Sequence, residues 1–359
     1  MSDLLLAPAP APAPRQRPWT VIPSLTLTLT IFGGTIVVHA DRRPPVDGGV
    51  PADGGLPAAV RDLAGVAAPD LLGPGPAPAT FLGTPDDEIL RRLCEQPVTK
   101  LEFNYRGTTI KFKATLADGT VASLRPAQGN EAGYFRADVA AYRLSRALGL
   151  GAVAPSCLRT LPRAAILGAV GPGPLAGRLA TELQWDAGGQ TLQVSMVVWV
   201  ERIRPGGLDK DMDAWRPLLL QSRALAAAPP RLQSRAAAGG RLMAWDFLIA
   251  NWDRWSGGNT FHVGNDGPWV WLDNAAGFGH YSPPVRRYNE AQLRPVERYS
   301  RSFIAALRQI SPEQLAAELA PAGLPPLALR QLLERRDVLL RRVEMLVARY
   351  GEAQVLCFE

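Results

Sequence analysis

Soft and imidazole ligands are scarce in this chain: its 359 residues contain three cysteines and three histidines. Cys94, Cys157 and Cys357 follow no CxxC spacing, and His39, His262 and His280 add no Cys/His ligand pattern, so a zinc cluster or zinc enzyme is excluded. Spacing alone leaves open whether the thiols stay free or two of them pair. Lysine is almost as rare. Lys100, Lys111, Lys113 and Lys210 are the only lysines among 39 basic residues, leaving 39 − 4 = 35 arginines. Those arginines are scattered among 33 acids without the clustered stripe that tracks a phosphate backbone, so a net charge of +6 does not point to nucleic acid. No Asn-x-Ser/Thr sequon occurs, which removes N-glycosylation from consideration.

One stretch lacks charge altogether. Trp19 to Ala40 contains no Asp, Glu, Lys or Arg, and as a helix it would extend roughly 33 Å, enough to cross a bilayer core. Residues 19–40 therefore read as a transmembrane anchor or signal segment, although the Leu/Thr alternation from Leu25 to Thr30 also fits a strand pair. Residues 1–18 form an Ala/Pro-rich tail that cannot build a core, and residues 41–85 form a Pro/Gly-rich stalk. Regular periodicity begins near Asp86. Lys100–Phe103, Thr109–Ala114 and Val121–Leu124 alternate like strands, the last two joined by the Ala117–Thr120 turn. Phe135–Leu148 has helical spacing and stops at Gly149; Ala180–Trp185 and Thr191–Val200 read as a second strand pair. Helices then follow over Leu242–Trp252, after the Ser311-Pro312-Glu313-Gln314 capping box, and over Leu327–Tyr350. Strands first and helices last predict an α+β, two-lobed fold with a cleft between a small lobe (86–200) and a large lobe (201–359).

Chemistry concentrates in two runs. Asn251-Trp252-Asp253-Arg254 leads through Gly257-Gly258 to Asn259, and Val270-Trp271-Leu272 delivers Asp273-Asn274 to a turn at Gly277–Gly279. Phosphoryl transfer needs one carboxylate to accept a hydroxyl proton and further oxygens to hold a divalent ion on the phosphates. Asp253 suits the first task, Asp273 and Asn259 the second. The four tryptophans 252, 255, 269 and 271 read as packing beneath a cleft.

Leu242–Gly279, together with Ala117–Leu150, resembles the four-jointed proteins and, more distantly, the Golgi casein kinase group of secretory-pathway kinases, through its N-W-D-R and L-D-N-x-x-G signatures. The likeness covers roughly Lys100 to Ile310 and takes in Arg125, the helix around Asp138, and Arg287-Tyr288-Asn289-Glu290. It implies an atypical protein-kinase-like fold and an ATP- and Mg²⁺- or Mn²⁺-dependent phosphotransferase, most simply a Ser/Thr protein kinase. Asp253 is then the catalytic base, Asp273 and Asn259 are the metal ligands, and Arg125, Lys111 and Asp138 form the nucleotide-binding set. The resemblance also implies a membrane-anchored or exported protein whose catalytic domain lies outside the cytosol and acts on protein substrates there. Arg125 stands where such kinases usually carry lysine, and Asp138 where glutamate is usual. Those departures keep two other readings in view, a pseudokinase that binds without transfer and a kinase for a small-molecule or lipid-head-group hydroxyl.

Overall fold

In the computed structural model the described residues are 28–31, 34–37 and 79–359, apart from 106, 131–132, 257, 266 and 280–281. The chain divides into two units, Met1–Leu71 and Leu72–Glu359. Of the first unit the described part is an antiparallel hairpin pairing Thr28–Ile31 with Gly34–Val37. Those eight residues are extended, so over them the Leu/Thr alternation prevails and they do not form the helix a spanning segment would need. The rest of the 19–40 segment, the tail and all but the end of the stalk lie outside the described residues. Among the described residues no helix is long and apolar enough to cross a membrane.

The second unit opens with α1 (Asp86–Glu95), whose first turn carries Asp86, Asp87 and Glu88, the charge a helix N-terminus favours. An antiparallel five-stranded sheet follows, ordered β1 (Val98–Phe103), β2 (Phe112–Leu116), β3 (Val121–Pro126), β5 (Thr191–Val198), β4 (Ser156–Pro162). α2 (Phe135–Ala147) packs behind β4 and β5 and buries Phe135, Val139, Tyr142 and Leu144. A disulfide joins Cys94 of α1 to Cys157 of β4, and Cys357 stays free. These elements enclose one apolar core around Phe112, Leu124, Val194 and Met196.

Of the strand expected at Ala180–Trp185, residues 180–182 end a helix spanning Pro174–Glu182, and Leu183 makes an isolated antiparallel bridge to Gln128. Leu175, Leu179 and Leu183 recur every four residues and Pro174 occupies the first turn, so helical spacing outweighs the short alternation. β5 pairs instead with β3 and with β4, which carries no clear alternation; Arg159 of β4 caps the end of α1 by donating to the carbonyls of Leu93 and Gln96.

The second core is built by helices α3 (Pro230–Ile249), α4 (Pro283–Leu293), α5 (Arg301–Gln309), α6 (Pro312–Leu319) and α7 (Pro326–Tyr350), together with Val139, Tyr142 and Leu144 of α2. α6 starts at Ser311 with the full reciprocal capping box. A small sheet of β6 (Ile203–Pro205), β7 (Phe261–Val263) and β8 (Trp269–Val270) carries the functional loops at its ends.

Candidate functional site

β3 is buried along its C-terminal half, which brings Arg125 into the interior with only 6% of its side chain exposed. An unpaired guanidinium there would be costly, and three oxygens meet it. Nε donates to Asp138 Oδ2 at 3.0 Å, Nη1 to Thr109 Oγ1 at 3.1 Å, and Nη2 to Asp273 Oδ1 at 2.7 Å. Asp138 stands one turn into α2, and its second oxygen accepts the Asn274 N–H at 3.2 Å. Burial pushes the Asp138 carboxyl upward, Arg125 opposes this, and the Asp273 charge adds to the rise.

Asp273 follows β8 with a left-handed backbone, φ 54°, uncommon for a residue with a side chain. Its Oδ2 accepts the Lys111 ammonium at 2.9 Å while Oδ1 takes Arg125, and the carboxylate keeps 31% exposure. Burial would raise its titration, but Arg125 and Lys111 together hold it well below the usual carboxylate range. Lys111 sits just before β2 at the tip of the β1–β2 hairpin, and Lys113 farther along is exposed over Trp199. The sheet, α2 and the loop after β8 therefore bring Lys111, Arg125, Asp138 and Asp273 into one connected cluster.

Asp253 and Asn259 form a second group, in the turn after α3. Ala250 ends that helix in the left-handed region, and the Asp253 N–H donates to Asn251 Oδ1 at 3.1 Å. Ser256 Oγ donates to Asp253 Oδ1 at 2.9 Å, and Asn259 Nδ2 donates to the Asp253 carbonyl at 3.0 Å. One carboxylate oxygen of Asp253 is thus fixed, while the other has only a 3.5 Å contact with Asn259.

Arg254 joins the two groups. Its guanidinium is buried, and it donates to the carbonyls of Asn259 (3.3 Å) and Leu272, to Asn274 Oδ1 (2.7 Å) and to Asp246 Oδ1 (3.2 Å). The loops carrying Asn259 and Asp273 therefore hang on one side chain. Asp246, inside α3, is pushed up to about 7 by burial against the pull of Arg254. Asp209 adds a brace: its oxygens accept the Gly258 N–H at 3.0 Å and the Thr260 hydroxyl at 2.8 Å, the two neighbours of Asn259. Burial alone would raise Asp209, but these donors hold its carboxyl below the ordinary value.

Asp246 and Asp209 were not found by the sequence reading, and Arg254 was seen only as part of a motif. A lone acid within the apolar run Leu242–Ile249 is a readable sign for Asp246. Asp209, beside Lys210 and Asp211, looks like any solvated acid. Of the four tryptophans, Trp271 lies 5.2 Å from Trp245, Trp255 lies 6.1 Å from Trp215 and Trp269 stands edge-on to His262 at 5.6 Å, centroid to centroid.

The cluster fits a divalent ion of the Mg²⁺ or Mn²⁺ kind. Asp273 is held ionised, and Asn259 spends its amide nitrogen on Asp253, which leaves its carbonyl oxygen as an acceptor; hard oxygen donors are what such ions select. Among the described residues no group of three or more His, Cys, Asp or Glu would hold a metal by itself, so further oxygens would have to come from phosphate and water.

No family model matches the sequence, and no curated protein does. Solved structures match in fold. A crystal structure of the Golgi casein kinase with Mn/ADP bound aligns with a TM-score of 0.55 at 16% identity, over 76% of this chain and 78% of that one. Another crystal structure of the Golgi casein kinase gives 0.52 at 16% identity, over 76% and 78%. The structure of hydra Fam20 with sugar gives 0.54 at 17% identity, over 75% of this chain and 91% of that one. The fold is that of the Golgi casein kinase group, the more distant of the two resemblances in the sequence.

Proposed function

We propose that this chain is an ATP- and divalent-metal-dependent phosphotransferase that phosphorylates hydroxyl groups of exported proteins. The observation that carries the reading is the joined pair of acids. Asp273 is kept ionised beside two cations, Asp253 is oriented by Ser256 and Asn251, and Arg254 holds the loops of both groups. Similarity to a Golgi casein kinase that binds Mn/ADP supports the nucleotide and the ion. The Cys94–Cys157 bridge supports an oxidising compartment outside the cytosol, and export by way of the N-terminal segment is part of the proposal.

In this reading Asp253 accepts the proton of the acceptor hydroxyl through Oδ2, the oxygen that Ser256 leaves uncommitted. Asp273 and Asn259 would hold the ion, which would supply positive charge to offset that of the phosphates. Arg125, Lys111 and Asp138 form the nucleotide-binding set: Asp138 fixes Arg125, and the cations face the acid beside which phosphates would lie. Calorimetric titration of the chain with ATP and Mn²⁺ tests the site. Asp273→Ala is expected to abolish metal-dependent binding with the fold retained, and an unchanged affinity in that variant removes the assignment.

One observation favours a second reading. Arg125 spends all three guanidinium nitrogens on protein oxygens, which suits a binding module that performs no transfer. Phosphate incorporation into mixed exported proteins separates the two, and a parallel assay with small polyols covers the third acceptor class, in keeping with the sugar held by hydra Fam20.

A further inference from the structure

Arg125 and Lys111 differ in how firmly they are held. Moving Arg125 would break a pair whose side chains are 6% and 8% exposed and would release Thr109 as well. Lys111 makes one such bond, to Asp273 Oδ2, from a side chain that is 19% exposed. The backbone beneath it is fixed: Thr109 is tied to Arg125, and Gln128 accepts the Ile110 N–H at 2.9 Å and donates to the Ile110 carbonyl at 3.0 Å. A four-carbon stem on a fixed base can redirect its ammonium without moving the hairpin.

We infer that Lys111, and not Arg125, is the phosphate-contacting cation of this cleft, and that it rests on Asp273 Oδ2 until a divalent ion takes that oxygen. The inference deepens the proposed function and rests on the role given there to Asp273. Charge balance drives the exchange. Asp138 and Asp273 against Arg125 and Lys111 sum to 2 − 2 = 0, so the empty cluster is neutral. Two further positive charges at Asp273 repel the ammonium that already occupies Oδ2, and the anionic phosphates arriving with the ion give that ammonium a second partner. Arg125 meanwhile keeps Oδ1 and holds Asp273 to β3 and α2. Lys111 thus opposes the bare ion and favours the ion–nucleotide complex.

The two effects have opposite signs, which a general loss of structure would not produce. In the full chain, Lys111→Met is expected to bind Mn²⁺ alone at least about fivefold more tightly, and Mn²⁺–ADP at least about fivefold more weakly, than the wild type. Free Mn²⁺ counted by electron paramagnetic resonance reads the first and calorimetry the second. Lys111→Gln, which keeps a polar group over the same acid, is expected to shift both affinities in the same two directions, and Lys111→Arg to leave Mn²⁺ binding near wild type. Weakening of both affinities, or a change in neither, in a wild type that binds Mn²⁺–ADP overturns the exchange and leaves the site assignment standing. If Asp273→Ala binds Mn²⁺–ADP as well as the wild type, the assignment itself falls and the exchange falls with it.

Discussion

Two acids of this molecule titrate in opposite directions. Asp273 lies at the edge of the cleft, takes two cations and is held well below the carboxylate range; Asp246 lies within α3, shares one cation with three other oxygens and is pushed up to about 7. Asp246 keeps 2% exposure and Asp273 31%, so burial weighs more heavily on the first. What further separates them is how much positive charge is dedicated to each. Arg125 and Lys111 converge on Asp273, whereas Arg254 also serves the carbonyls of Asn259 and Leu272 and the amide of Asn274. The first acid is kept charged for use and the second is kept in reserve beneath the loops.

The comparison can be broken at its arginines. Arg254→Met leaves Asp246 without its cation and takes a donor from four oxygens, and is expected to lower stability by about 3–5 kcal/mol in urea denaturation, the cost of opening a buried pair. Arg125→Met should cost about 3 kcal/mol, the low end of that range, because Asp273 keeps Lys111 and partial access to water; a larger loss than for Arg254→Met would invert the ranking.

Titration sharpens the contrast further. The folded-state value of Asp246 is raised above its unfolded one, so its contribution to stability is complete below about pH 4 and is lost as pH climbs through about 7. Asp273 is depressed, so its contribution is present above about pH 4 and is lost on further acidification. Between pH 4 and 8 the Asp246→Asn variant should show a flatter stability profile than the wild type, while Asp273→Asn should keep the wild-type slope there. Parallel profiles for Asp246→Asn and wild type would mean that Asp246 stays ionised. The smallest effect belongs to the surface. Arg178→Ala removes the bond to Glu182 along one helix and is expected to change the thermal midpoint by the equivalent of about 0.5 kcal/mol or less.

Much of this arrangement was legible in the chain. The strands at 98–103, 112–116 and 121–126 and the helices at 135–147 and 326–350 follow from period-two and period-3.6 spacing, and the Ser311 capping box follows from four letters. Asp253, Asp273, Asn259, Arg125, Lys111 and Asp138 were all named, and the cluster formed by four of them came from matching a motif and not from propensity. Ser156–Pro162 was missed because its residues become a strand through pairing with β5 and through Arg159, and neither is a local property. Ala180–Trp185 reads as a strand because its six-residue alternation overlaps an i, i+4 leucine series that begins at Leu175, and only the longer window decides. Asp209 stayed hidden because its significance lies in two partners about fifty residues away.

The bridge between Cys94 and Cys157 carries a consequence for when the cluster can assemble. These residues are 63 apart in the chain, and Lys111, Arg125 and Asp138 all fall inside the covalent ring they close, while Asp253 and Asp273 fall outside it. Opening a ring of that size returns to the denatured chain an entropy worth about 4 kcal/mol. A reductant therefore lowers the stability of the whole unit Leu72–Glu359, the cations inside the ring and the acids outside it together. Maturation becomes a matter of redox history: the sealing of one sulfur–sulfur bond would add that margin to the unit that carries the cleft.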